Sequence, residues 1–167
     1  IDAVLGGQVA SARARAGALG LPADLLGIVL RFGMFPELER VAAQLAPLRE
    51  ATPWRQGYCP TCGSWPLLGE YRGLDQARFL RCGLCASAWA TDRLLCPFCG
   101  SRDHADLGYL HVEGEEHRRA ATCERCRGYV KMLMTLAPIP PLELAVYDLD
   151  TIHLDMVARE RGYAAPV

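Results

Sequence analysis

Hydrophobic positions change their period near residue 59. Ahead of it, Leu25, Ile28, Val29 and Phe32 fall at i, i+3, i+4 and i+7, and Leu38, Val41, Ala42 and Leu45 repeat the stripe behind Pro36. That spacing places apolar side chains on one face of a helix. Pro22 and Pro36 each stand where a helix could begin, since the missing proline N–H is harmless in a first turn. The pattern predicts two short amphipathic helices forming a packing layer, with a break around Gly33 to Phe35. Val4, Leu5 and Val9 mark the end of an earlier helix.

Behind residue 59 the pattern becomes short alternating stretches, the signature of strands with one buried face. Leu67 to Tyr71, Arg78 to Arg81 and Ala86 to Thr91 are strand candidates, and Leu107 to Val112, His117 to Thr122 and Gly128 to Leu133 occupy matching places further on. The polar, glycine-containing stretches Arg72 to Asp75 and Glu113 to Glu116 supply the turns. Pro138, Pro140 and Pro141 then introduce a last helix from about Leu149 to Arg161. Asp148 or Asp150 is placed to cap it, and Leu149, Ile152 and Met156 give it an apolar side. Residues 47 to 58 hold two prolines and a glycine and interrupt the helical period, so they mark a boundary. Trp54 and Tyr58 there are suited to fasten the helical part to the strand-rich part.

The eight cysteines all fall in four Cys-x-x-Cys pairs: Cys59/Cys62, Cys82/Cys85, Cys96/Cys99 and Cys123/Cys126. Cys59-Pro60-Thr61-Cys62-Gly63-Ser64 lies over Cys96-Pro97-Phe98-Cys99-Gly100-Ser101 with five of six residues identical. Similar strand patterns follow each, so the chain holds two tandem copies of one knuckle, hairpin, knuckle, strand unit. Two intervening residues let a backbone knuckle present both sulfurs to one ion. Gly63 and Gly100 accommodate positive φ, and Pro60 and Pro97 pre-set the turn. The spacing therefore predicts two tetrahedral metal sites, with sequential sets 59/62/82/85 and 96/99/123/126 favoured over interleaved ones by the short loops. The competing readings are disulfides and thioredoxin-like dithiols. No secretory pattern accompanies the cysteines and no βαβ context surrounds them. Four thiolates suit zinc or a single iron, and spacing does not separate the two.

Charge narrows the partners. The formal net charge is -1 with cysteines counted neutral, and four thiolates around a divalent ion leave about -2 per site. Arg118-Arg119 stands beside Glu115-Glu116 rather than in a basic run, so a nucleic-acid backbone is a poor match. Charged residues interrupt every leucine-rich stretch, so no membrane span is expected. The histidines, His104, His111, His117 and His153, sit in no zinc-enzyme motif. A full sulfur set leaves no coordination position for substrate, and no enzyme is expected. His153 is expected to be packed or hydrogen-bonded.

Taken together, Trp54-x-x-Gly57-x-Cys59-Pro60-x-Cys62-Gly63-Ser64-x-Pro66, Arg81-Cys82-x-x-Cys85 with Trp89, and Cys96-Pro97-x-Cys99-Gly100 resemble the formate dehydrogenase accessory proteins of the FdhE family. Cys123-x-x-Cys126 with Tyr129-Val130-Lys131, then Asp148-Leu149-x-Thr151-x-His153-Leu154-Asp155 and Arg161-Gly162-Tyr163, extend the resemblance over nearly all of 50 to 165. It implies a cytoplasmic, non-enzymatic protein with two rubredoxin-like modules that bind iron, zinc being the alternative, and a partner in the catalytic subunit of formate dehydrogenase. The expected architecture is α+β: a helical segment over 1–50, rubredoxin-like or zinc-ribbon-like modules over 51–92 and 93–134, and a proline-led segment with a C-terminal helix over 135–167. The chain is shorter at its front than the resemblance implies. A rubredoxin-like electron carrier and a zinc-ribbon nucleic-acid binder are the other functions weighed.

Overall fold

A computed structural model describes residues 9–51 and 53–165. Three helices open it: α1 (Val9–Ala18), α2 (Ala23–Gln44) and α3 (Ala46–Ala51). Six strands come next, β1 (Pro66–Arg72), β2 (Ala77–Cys82), β3 (Ala88–Ala90), β4 (Leu107–Leu110), β5 (Arg118–Cys123) and β6 (Tyr129–Thr135), and then a 3₁₀ turn and helices α4 (Leu144–Asp150) and α5 (Ile152–Glu160). All six strand candidates form, although β3 and β4 are shorter than their apolar patterns.

The two hairpin units do more than pack together. They join into one sheet of order β3-β2-β1-β6-β5-β4. The junction is the parallel pair β1 and β6, with Leu68 opposite Lys131 and Arg72 opposite Thr135, while every other pair is antiparallel. Because β1 opens its unit and β6 closes the other, the units meet head to tail along one direction. Gly57 permits a second contact, since a Cβ there would sit 1.7 Å from the Pro97 carbonyl oxygen.

One face of the sheet, with Tyr71, Leu80, Trp89, Val130 and Met132, buries Cys59, Cys82 and Cys85 and receives Leu38 and Ala42 of α2, with Trp54 against it. On the other face, Leu68, Leu133, Ile139 and Leu144 form one cluster and Ala120, Tyr129, Ala158 and Tyr163 another.

Five expectations are corrected. The helix break at Gly33 to Phe35 is absent: α2 runs through Pro36. A proline inside a helix costs about 3 kcal/mol, but Phe35, Leu38 and Ala42 on both sides of it are held against the sheet clusters. The stripe Leu25, Ile28, Val29, Phe32 is exposed rather than packed among the described residues. At the far end, Thr151 divides the predicted last helix into α4 and α5, and neither Asp148 nor Asp150 caps it. Leu149, Ile152 and Met156 are exposed, and Leu144, Leu154 and Ala158 face inward instead. The inward face also carries the ion pairs of Lys131 with Asp148 and Asp155, which a hydrophobic period does not register.

Candidate metal centres

The eight cysteines come together in two quartets, Cys59, Cys62, Cys82, Cys85 and Cys96, Cys99, Cys123, Cys126, with the four sulfurs of each within 4.8 Å of one another. In the first, Sγ of Cys59 and Cys85 are 3.6 Å apart and those of Cys62 and Cys82 3.4 Å. In the second, Cys96 to Cys126 is 3.6 Å and Cys99 to Cys123 3.7 Å. A tetrahedron with metal–sulfur bonds of about 2.3 Å has edges of about 3.8 Å, so both quartets fit one four-coordinate ion. A disulfide would need about 2.05 Å, and all eight thiols are free.

The local chain explains this geometry. In both first knuckles the cysteine N–H donates to the serine carbonyl five residues on, at 2.8 Å, and the glycine N–H returns to the cysteine carbonyl at 3.0 Å. Gly63 and Gly100 have φ of 75° and 73°. The second knuckles turn the same way with Ala86 and Arg127, both at φ 57°, at a cost of about 1 kcal/mol each. Backbone N–H groups point at sulfur: Thr61 at Cys59, 3.4 Å, and Leu84 at Cys82, 3.3 Å.

Four sulfurs this close compete for protons. Hydrogen bonds from Cys62, Cys82 and Cys85 hold the Cys59 thiol far below the ordinary range, and those to Cys59, Cys62 and Cys85 push Cys82 up. The Cys59 bond opposes ionisation of Cys85, but those from Cys62, Cys82 and Ser87 outweigh it and bring Cys85 down to about 7. In the second quartet burial pushes Cys96 up, while the Ser101 N–H and neighbouring thiols outweigh burial and lower Cys99. A cation at the centre is what would let all four ionise together.

The surroundings of the quartets differ. Beside the first, the Ser87 hydroxyl lies 3.1 Å from Cys85 Sγ and 2.9 Å from the Thr61 hydroxyl, which accepts from Arg49 Nη1 of α3 at 3.3 Å. Arg31 of α2 donates through Nε to the Gly83 carbonyl at 3.1 Å. In the second unit Phe98 replaces Thr61 and Gly128 replaces Ser87. A Cβ on Gly128 would come within 2.7 Å of the Phe98 ring and 3.2 Å of Cys126 Sγ. Cys99 and Cys126 are exposed.

Two buried charge clusters brace these elements, and hydrophobic patterning missed both. Glu70, fully buried, accepts from Arg72 Nε and Nη2 at 3.0 Å each, from the Ile139 N–H at 3.0 Å, and from Arg81. Arg81 also donates to the carbonyls of Ile139, at 2.7 Å, and Ala86 of the knuckle, at 3.3 Å. Lys131 Nζ lies 2.6 Å from Asp148 Oδ1 and 2.8 Å from Asp155 Oδ2, and Tyr129 donates to Asp155 at 2.8 Å. The available signal was a charged residue at an inward position of a strand pattern, Glu70 and Lys131 being the cases. The histidines stand apart from the quartets. His153 Nε2 lies 2.9 Å from Glu115 Oε2, and His104 is exposed.

Comparison with known proteins places the chain. The model of the FdhE central domain matches residues 58–93, and that of the FdhE C-terminal domain matches residues 94–166. The chain belongs to the FdhE family. An FdhE homolog from Stutzerimonas stutzeri is 40% identical over 123 residues, 71% of this chain and 39% of that protein. One from Aquifex aeolicus is 31% identical over 116 residues, 66% of this chain and 40% of that protein. The crystal structure of the FdhE protein from Pseudomonas aeruginosa superposes with a TM-score of 0.58 at 32% identity, covering 75% of this chain and 44% of that one. The chain thus spans about two-fifths of the length of these FdhE relatives. No helix among the described residues is long and apolar enough to cross a membrane.

Proposed function

We propose that the chain is a non-enzymatic accessory protein of respiratory formate dehydrogenase that acts in the cytoplasm and binds the catalytic subunit of that enzyme through a metal-braced fold. Cys59, Cys62, Cys82 and Cys85 would hold one ion and Cys96, Cys99, Cys123 and Cys126 a second, with iron preferred and zinc the alternative. The observation that carries this reading is the pair of closed sulfur quartets in a chain of the FdhE family. Four sulfurs satisfy a tetrahedral ion and leave it no position for water or substrate, which favours a brace or an electron store over a hydrolytic centre.

A second reading, electron transfer of the rubredoxin kind, is favoured by the exposure of Cys99 and Cys126. Iron held there would supply one-electron chemistry within reach of a docked partner. Both readings meet one experiment: oxygen-free purification of the tagged protein from cells making formate dehydrogenase, with metal analysis of the same sample. Retention of the catalytic subunit is expected, and its absence would remove the accessory reading. Stoichiometric zinc without iron in a colourless sample would remove the electron-transfer reading.

A further inference from the structure

Beside the first centre lies a cleft of about 600 Å³, within the range of ligand-binding clefts. One wall is β3, the outermost strand of the sheet. The other is formed by Arg49, Pro53, Trp54 and Arg55. Antiparallel pairing fixes which groups of β3 face outward. Cys82 N–H donates to Ser87 O, and Thr91 N–H donates to Arg78 O, so Ser87, Trp89 and Thr91 turn their backbone toward β2. Ala88 and Ala90 therefore turn theirs toward the cleft. Edge strands are ordinarily blunted by shortness, charges, proline or a bulge, and β3 has only the first of these, at three residues. Here the outward positions carry methyl groups alone.

The fold shows how such an edge is used. With Arg81 opposite Ala88 and Thr122 opposite Tyr129, Ala90 of the first unit corresponds to Lys131 of the second. Lys131 is where β1 joins β6 as a parallel strand, and β1 carries Glu70. The same edge is open in the first unit, and basic groups line it. Arg72 in the cleft is matched by Glu70, and Asp92 by Arg102 at 2.6 Å. Among the described residues no carboxylate pairs with Arg49 or Arg55. Arg49 Nε and Thr91 Oγ1 are buried beside the cleft without a hydrogen-bond partner, so neither side chain is fully engaged by the fold.

We propose that this cleft takes an extended, carboxylate-bearing segment of the client protein as an added strand on β3. Its backbone would bond to Ala88 and Ala90, and its acid would meet Arg49 and Arg55. Strand addition of this kind draws affinity from main-chain bonds and specificity from side-chain pockets; Trp54 and Phe79 supply the apolar surface here. The proposal rests on the accessory reading and names the surface through which it would operate.

The test uses the metal-loaded, intact protein against an array of overlapping peptides spanning the formate dehydrogenase catalytic subunit, alongside capture of the whole subunit. Acidic peptides are expected to bind. Arg55→Glu, at an exposed site, and Ala90→Pro, which removes an outward N–H tolerated as proline on a sheet edge, should each weaken peptide and subunit binding at least about tenfold with metal content unchanged. Capture of the whole subunit by both variants at wild-type strength would overturn the cleft proposal and leave the accessory reading intact. Failure of the wild type to capture the subunit would overturn the accessory reading itself. If inorganic phosphate displaced the peptides while Ala90→Pro bound them normally, the cleft would be a simple anion site, and strand addition would be overturned.

Discussion

Around the first sulfur quartet three cysteines are buried and Cys62 is half-buried, helices α2 and α3 reach down through Arg31 and Arg49, and a hydroxyl chain ends on Cys85. Around the second, Cys99 and Cys126 are exposed and an aromatic ring and a glycine stand where the hydroxyls were. The sulfur tetrahedra nevertheless match within a few tenths of an ångström. Ligand geometry is thus a property of the knuckle alone, which the duplication preserved. Burial and hydrogen bonding belong to what each unit acquired around it, and they set how firmly an ion is held and how near a partner can come.

The sharpest way to break this contrast is to remove one sulfur from each side. Cys82→Ser should lose one metal equivalent and also open the sheet core, because structural ion binding is worth about 10–16 kcal/mol of folding free energy. Cys99→Ser should lose one equivalent and keep the first centre and its protease resistance. Equal proteolysis of the two variants would erase the distinction. Next in size is Glu70→Gln. It should cost about 3–5 kcal/mol by leaving Arg81 buried without its carboxylate, and a lower denaturation midpoint checks it. Burial pushes the Glu70 carboxyl up, but hydrogen bonds from Arg72, Arg81 and the Ile139 N–H outweigh it and hold it below the ordinary range. A lowered carboxylate stabilises the fold above its unfolded pKa, and that contribution is lost as pH falls through the folded value. The variant should therefore show a flatter loss of stability on acidification.

A smaller effect concerns exchange. With a chelator in excess, metal should leave in two phases, the exposed centre at least about tenfold faster, which needs a barrier difference of only about 1.4 kcal/mol. Cys99→Ser should abolish the fast phase. Smallest is Ser87→Ala, which removes one hydrogen bond to sulfur and should cost about 1 kcal/mol. It should move the sulfur-to-metal absorption of the first centre and leave the second unchanged.

Much of this arrangement is legible in the residues. The knuckles, their grouping and the strand candidates come from local chemistry, since a turn and its glycine lie within six residues of each other. The same locality explains what escapes. Pairing of β1 with β6 joins positions some sixty residues apart through backbone groups that every residue carries. Pro36 reads as a helix start because nothing near it reports that Phe35 and Leu38 will be gripped by the sheet. Leu154 and Ala158 take the inner face while Ile152 and Met156 are exposed, and the side on which Lys131 meets Asp148 and Asp155 is set by strand β6, which no local period reports. Thr61 and Ser87 look like ordinary turn residues until the fold sets their hydroxyls side by side.

The parallel junction also has a consequence for synthesis. Leu68 of β1 leaves the ribosome 63 residues ahead of its partner Lys131. At about 5–20 residues per second the wait is roughly 3 to 13 s. Over that interval the Ile139 N–H that will bind Glu70 has not yet been made. The first unit must therefore stand with a second open edge while the rest is translated, and ion capture by Cys59, Cys62, Cys82 and Cys85, complete once residue 85 emerges, would join the contacts of Arg31, Leu38 and Ala42 of α2 in steadying it in the meantime.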